Sequence, residues 1–235
     1  MKNEKVVIIG GTSGIGRAVA ALAFAEGANV HVTGLSESRI NAFKKDYPDM
    51  TVSSLDVNDE KAVHTFISGV GEIDHIYIAA GSTKLGSILE GSVEEHMHPI
   101  DLRLKGSVHV IRAAASKMKE GGSITFTGGL STDRPVSGAW VSGIGTAAAE
   151  QLARVMALEL TPIRFNAVSP GWTDTPMWDA VLGDGKKEVF EQISEKQPVK
   201  RLAKPEEVAM AVIFFMKNKS VTGEIIHVDG GARLV

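Results

Sequence analysis

The chain has 235 residues, 43% of them hydrophobic and 23% charged, with a formal net charge of −3. That length supports one sizeable core, and the composition is ordinary for a globular protein rather than a disordered one. Scattered Lys and Arg argue against a nucleic-acid surface, and the absence of cysteine excludes a disulfide framework and a thiolate nucleophile.

The first predicted strand, Lys5–Ile9, begins too early to leave room for a signal peptide, and no apolar run is long enough to span a bilayer. A cytoplasmic protein without membrane contact is the expectation. This strand runs straight into Gly10-Gly11-Thr12-Ser13-Gly14-Ile15-Gly16. Ile15, Val19, Leu22 and Ala23 then recur at helical spacing, with Gly27 as the stop. A glycine turn between strand and helix lets the backbone approach a pyrophosphate, while the helix aims free N–H groups at it. A plain structural turn is the competing reading.

The second predicted strand, Asn29–Thr33, leads into Gly34-Leu35-Ser36. An acidic side chain there would bind a ribose 2′-hydroxyl and repel a 2′-phosphate. None occurs before Glu37, and Arg39 follows. NADP(H) is therefore expected over NAD(H), which stays possible, with Ser36 and Arg39 near the 2′-phosphate. The alternative is that Ser36 only caps the next helix and Arg39 is solvated.

The third predicted strand, Thr51–Leu55, exits through Asp56-Val57-Asn58 into a helix N-cap, with Asp59 and Glu60 in the first turn. His75–Ala79 and Ser123–Thr127 are the next strands. His96 and His98 between them stand two apart, a spacing that points them in different directions on a helix, so no metal site is expected. A helix from about Gly138 to Leu160 carries Ile144, Ala148, Leu152 and Val155 along one stripe and ends before Pro162. Its first half, Gly143 to Ala149, is built of small residues, which suit close approach to a helix or cofactor but also serve as filler. Arg164–Val168 and Glu224–Val228 complete the strands. Between them, Trp172 to Lys204 is the least regular stretch, broken by Pro176, Gly183, Gly185 and Pro198, and is a candidate lid. Strands alternating with helices predict one α/β domain over residues 1–235, a doubly wound, Rossmann-type parallel sheet of about seven strands with helices on both faces.

The spacing Gly10-x-x-x-Gly14-x-Gly16 is similar to that of the short-chain dehydrogenase/reductase family, and the match continues along the chain. Asp56-Val57 resembles the family's adenine-contacting aspartate and its neighbour, and Ala79-Ala80-Gly81 the end of its Asn-Asn-Ala-Gly motif. Asn166-Ala167-Val168-Ser169-Pro170-Gly171, Trp172, Thr173 and Thr175 resemble the segment that holds the nicotinamide carboxamide. Val221-Thr222-Gly223 and Val228-Asp229-Gly230-Gly231 resemble the last strand. The resemblance implies a dinucleotide site on Gly10, Thr12, Ser13, Gly14, Ile15 and Gly16, with Asp56, Val57, Ala79, Ala80, Gly81, Pro170, Gly171, Trp172, Thr173 and Thr175. It also implies a homodimer or homotetramer built on helices around 97–119 and 138–160.

The family's active site holds a serine, a tyrosine, a lysine and usually an asparagine. Laying that pattern back from Ala157-Leu158-Glu159-Leu160 puts Ser142 at the tyrosine, Thr146 at the lysine, Gly129 at the serine and Arg103 at the asparagine. No lysine lies between Lys119 and Lys186, and the only tyrosines are Tyr47 and Tyr77. Ser142, Ser131, Arg103 and Thr146 are the remaining candidates for chemistry; each also has a structural reading, Arg103 as part of a surface ion pair and the hydroxyls as small helix or loop residues. The leading expectation is an atypical NADP(H)-dependent oxidoreductase passing hydride to or from a small organic substrate, with Trp172, Met177, Trp178, Val181 and Leu182 available to close over it. The alternative is a catalytically silent dinucleotide-binding sensor or partner subunit.

Overall fold

The computed structural model describes residues 1–235 as one α/β domain around a seven-stranded sheet. The strands are β1 (Lys5–Ile9), β2 (Asn29–Gly34), β3 (Thr51–Ser54), β4 (Ile73–Ile78), β5 (Met118–Thr127), β6 (Arg164–Pro170) and β7 (Ile225–Val228). Their spatial order is β3-β2-β1-β4-β5-β6-β7, all parallel. The order reverses direction beside β1, which pairs with β2 on one side and β4 on the other, and a crevice opens there at the carboxyl ends of the strands.

Alternation along β1 feeds two cores. Val7 and Ile9 face α3 (Glu60–Val70), α4 (Val93–Ala114) and α5 (Trp140–Glu159), among Ile67, Val110, Ala149 and Phe126. Val6 and Ile8 face α1 (Gly14–Ala25), α2 (Glu37–Asp46) and α8 (Pro205–Lys217), among Val19, Phe43, Val212 and Phe215. Burying a side chain of this size is worth about 1.5–3 kcal/mol, which is why the strand positions read as continuous apolar runs. Arg164 ties β6 to the end of α8. Its guanidinium donates to the carbonyls of Phe215 at 2.6 Å, Met216 at 3.0 Å and Asn218 at 3.0 Å, a buried cation placed on a helix C-terminus.

Three expectations are corrected. The helix after β3 is capped by Asp59, which accepts from the Ala62 N–H at 3.0 Å, rather than by Asn58. In α5 the buried line is Val141, Gly145, Ala149, Ala153 and Ala157, whereas Ile144 is 50% exposed and Val155 39%. The helix lies against the sheet and α4, so only small side chains fit beneath it and the large ones turn outward. Between Trp172 and Lys204 the chain is regular, forming α6 (Pro176–Leu182) and α7 (Lys186–Lys196); Pro176 opens a helix instead of breaking one.

His75 of β4 is buried and its Nδ1 lies 2.8 Å from Ser123 Oγ. Desolvation, reinforced by the nearby Arg164 charge, pushes its pKa down from 6.5 to about 4. The native state holds His75 neutral while the unfolded chain takes up a proton near pH 6.5. Its contribution is therefore complete above pH 6.5 and is lost as the pH falls toward 4, by up to about 3 kcal/mol. Urea denaturation at pH 7 and pH 4.5 is expected to show that loss, with a shallower one in His75→Gln; parallel decline of both proteins would assign the acid sensitivity elsewhere.

Candidate functional site

The crevice beside β1 is a cavity of about 1040 Å³. At its floor, Gly10 has φ +82°, and a Cβ there would stand 2.7 Å from the Ala80 nitrogen. A Cβ at Gly16 would stand 2.5 Å from the Gly10 carbonyl oxygen. Gly14, at φ +54°, starts α1 with no acidic residue in the first turn and no side chain capping its N–H groups. Thr12 is buried against Gly34, where a Cβ would meet its Cγ2 at 2.6 Å. Backbone thus comes to the surface of the cavity with donors outward, the form a pyrophosphate fits.

Toward β2 and β3, Ser36 accepts from the Arg39 N–H at 3.5 Å and lies 2.9 Å from Ser38 Oγ, so the capping role is present. Arg39 makes no ion pair with its guanidinium and lines the cavity. Asp56 accepts from the Asn58 N–H through Oδ1 at 2.9 Å, and Val57 is buried beside it. Toward β6 and α6, Pro170, Gly171, Trp172, Thr173 and Thr175 form the opposite wall with Ile15, Ser13, Ala79 and Gly81 between. Trp172 stacks on Trp178 with ring centroids 4.2 Å apart, and Lys186 Nζ bridges Asp174 and Asp179 at 2.6 Å each, binding the segment after β6 to α7. Met177 and Val181 line the cavity; Leu182 does not.

The middle of the cavity gathers the four chemical candidates. Ser131 Oγ donates toward Ser142 Oγ at 3.4 Å. Thr146 Oγ1 donates to the Ser142 carbonyl at 3.0 Å and is itself buried. Arg103 makes no surface ion pair: Nη1 donates to the Thr127 carbonyl at 2.6 Å, and the group lies against Gly81 and Gly145. Burial lowers its pKa, partly offset by the Tyr77 hydroxyl, yet a guanidinium stays charged at any physiological pH. Tyr77 is fully buried, hydrogen-bonded to Thr127 Oγ1 at 2.8 Å, and desolvation pushes it up to about 12. It remains a phenol at physiological pH. His96 packs edge-on against Trp140, and no group of three His, Cys, Asp or Glu is placed to hold a metal.

Sequence reasoning missed Glu150. It is 1% exposed, accepts from the Gly129 N–H at 3.2 Å and from Thr132 Oγ1 at 3.2 Å, and so fixes the loop after β5 that carries Gly129 and Ser131. A lone Glu four residues after Thr146 in an otherwise apolar and small stripe was the available signal. The same loop is bound by sterics: a Cβ at Gly129 would stand 2.8 Å from Thr146 Cγ2.

A family profile described as enoyl-(acyl carrier protein) reductase matches residues 10–233. The chain is 30% identical to the short-chain dehydrogenase/reductase ATR9 of Stachybotrys chlorohalonatus, covering 100% of this chain and 98% of that protein. It is also 30% identical to dehydrogenase/reductase SDR family member 6 of Rattus norvegicus, covering 98% of each. A small-chain dehydrogenase solved in complex with NADPH superposes with a TM-score of 0.87 at 31% identity, over 100% of both chains. The protein therefore belongs to the short-chain dehydrogenase/reductase family of oxidoreductases, and the crevice geometry fits a nicotinamide dinucleotide.

The packing of Gly129 against Thr146 has a measurable consequence. Gly129→Ser is expected to cost about 1–3 kcal/mol by overpacking, and Thr146→Ser, which removes Cγ2, to restore most of it. A double-mutant cycle by chemical denaturation should give a coupling of more than about 1 kcal/mol; additivity within about 0.3 kcal/mol would show that the two sites do not compete for space.

Proposed function

We propose that the protein is an NADP(H)-dependent oxidoreductase that works without a tyrosine–lysine acid–base pair. One observation carries the reading: the glycine cradle opens directly onto a centre lined by Arg103, Ser131, Ser142 and Thr146. No side chain with a pKa near neutrality stands among them. When bound, the dinucleotide supplies the hydride chemistry; the chain binds, orients and excludes water.

Gly10, Thr12, Ser13, Gly14, Ile15 and Gly16 hold the pyrophosphate side. Ser36 and Arg39 take the 2′-phosphate, and Asp56 and Val57 the adenine. Ala79, Ala80 and Gly81, with Pro170, Gly171, Trp172, Thr173 and Thr175, flank the nicotinamide half. The Ser131–Ser142 hydroxyl pair orients a substrate oxygen. Such a site suits a substrate whose carbon is already activated by conjugation, since alcohol hydroxyls are poor acids. Arg103 and Arg134 both line this half with no carboxylate partner for their guanidinium groups, which disfavours a cationic substrate and favours an enone or quinone. Residues 172–204 act as the lid, latched by Lys186 and the Trp172–Trp178 pair.

Calorimetric titration is expected to show NADPH binding more tightly than NADH, and Arg39→Ala to weaken NADPH about tenfold with NADH unchanged. Tryptophan emission should change on binding through Trp172 and Trp178, and enones or quinones should then be reduced. Tighter NADH binding would reverse the cofactor preference, a silent tryptophan signal would remove the lid, and binding with no turnover of any enone, quinone or imine would leave a dinucleotide-binding protein without catalysis.

The outward face of α5 also supports self-association. Ile144, Val155 and Leu158, the last 83% exposed, share one side of that helix, and Met97 and Leu104 share one side of α4. A homodimer across these helices covers them, with a homotetramer as the larger form. Light scattering at micromolar concentration is expected to give twice the chain mass or more and Leu158→Glu to give the monomer; a monomeric wild type refutes the interface.

A further inference from the structure

Arg103 is a cation without a counter-ion in the middle of the cavity. It projects from the third turn of α4, a helix started by a reciprocal Ser92–Glu95 capping box. Its guanidinium carries five N–H donors, of which only the Nη1 bond to the Thr127 carbonyl is made within the protein. The half-buried group therefore presents its remaining donors to the cavity, where a ligand oxygen can accept them.

The surrounding chain leaves room for the group. A Cβ at Gly81 would stand 2.8 Å from Arg103 Nη2, and one at Gly145 3.3 Å from Arg103 Cδ. Two elements, the end of β4 and the buried line of α5, have therefore given up side chains around this arginine. The small-residue run of α5 has a specific use at Gly145.

Position identifies the acceptor. A dinucleotide laid across the β1 switch point with its pyrophosphate at the Gly10–Gly16 turn and its adenosine toward β2 would bring its second ribose toward β4. Arg103 sits between the ends of β4 and β5, at Gly81 and Thr127, one step beyond the glycine turn. We infer that Arg103 clamps the hydroxyls of the nicotinamide-side ribose through its free Nη2 and Nε donors, so that α4 supplies the cation of this site. The inference rests on the proposed dinucleotide binding.

The experiment compares two ligands on two variants by calorimetry. NADPH contains the second ribose; 2′,5′-ADP stops short of it. Arg103→Met is expected to weaken NADPH at least about tenfold and 2′,5′-ADP less than twofold. Arg103→Lys, which keeps a cation but not the fork, is expected to recover part of the NADPH affinity. Unchanged NADPH affinity in Arg103→Met overturns the inference while leaving dinucleotide binding intact, and points instead to a substrate contact. If Arg103→Met loses both ligands equally, Arg103→Lys decides: selective recovery of NADPH upholds the clamp, and equal loss of both overturns it. Failure of the wild type to bind NADPH would sink the broader reading instead.

Discussion

The structure depends on one close approach: the turn leaving β1 lies so near the end of β4 that Gly10 has no room for a side chain beside Ala80. Parallel pairing of β1 with β4 sets that distance, and burial of Ile8 and Ile9 on opposite faces fixes which way the turn leaves the sheet. Gly16 then lets α1 settle onto the Gly10 carbonyl with its free N–H groups facing the crevice. Core packing and the dinucleotide cradle are therefore the same contact seen from two sides. A side chain large enough to disturb one disturbs both, because interiors this dense transmit a displacement rather than absorb it.

Around that cradle the polar centre is organised by what is missing as much as by what is present. Glu150 holds the loop after β5 through the Gly129 N–H and Thr132, and Thr146 occupies the space a side chain at 129 would need. Arg103 in turn fills the room left at Gly81 and Gly145. The outcome is a buried acid facing a loop and a half-buried guanidinium facing a cavity. Of these two groups the guanidinium alone lines the cavity, and with Arg134 on the same half it makes the local field positive.

Much of this was legible in the sequence where local chemistry decides the answer. β1 was bounded correctly because a β-branched run ends at glycines, and every residue assigned to the dinucleotide site lines one cavity. The failures are tertiary. Hydrophobic periodicity gave α5 the wrong face, since Gly145, Ala149 and Ala153 look neutral in sequence but are the only sizes that fit under the helix. Pro176 and Gly183 looked like breakers in a loop, whereas one opens α6 and the other closes it. Glu150 was invisible because its partners, Gly129 and Thr132, are about twenty residues away in sequence. Arg103 had two open readings, and only the absence of a carboxylate around it separates them.

Gly129, Ser142 and Thr146, three positions on which the family pattern was laid, are not independent, and this bears on what a single substitution can do. A lysine at 146 would lose the hydroxyl that now donates to the Ser142 carbonyl and would need room for a longer side chain beside Gly129. A serine at 129 would meet Thr146, so that change needs a smaller residue at 146 before it fits. A tyrosine at 142 would replace a side chain now bonded to Ser131 and would have no neighbouring lysine to lower its pKa. Each of these substitutions therefore disturbs the current occupant of a neighbouring position. These three positions behave as one packed unit, so a change at one is felt at the others.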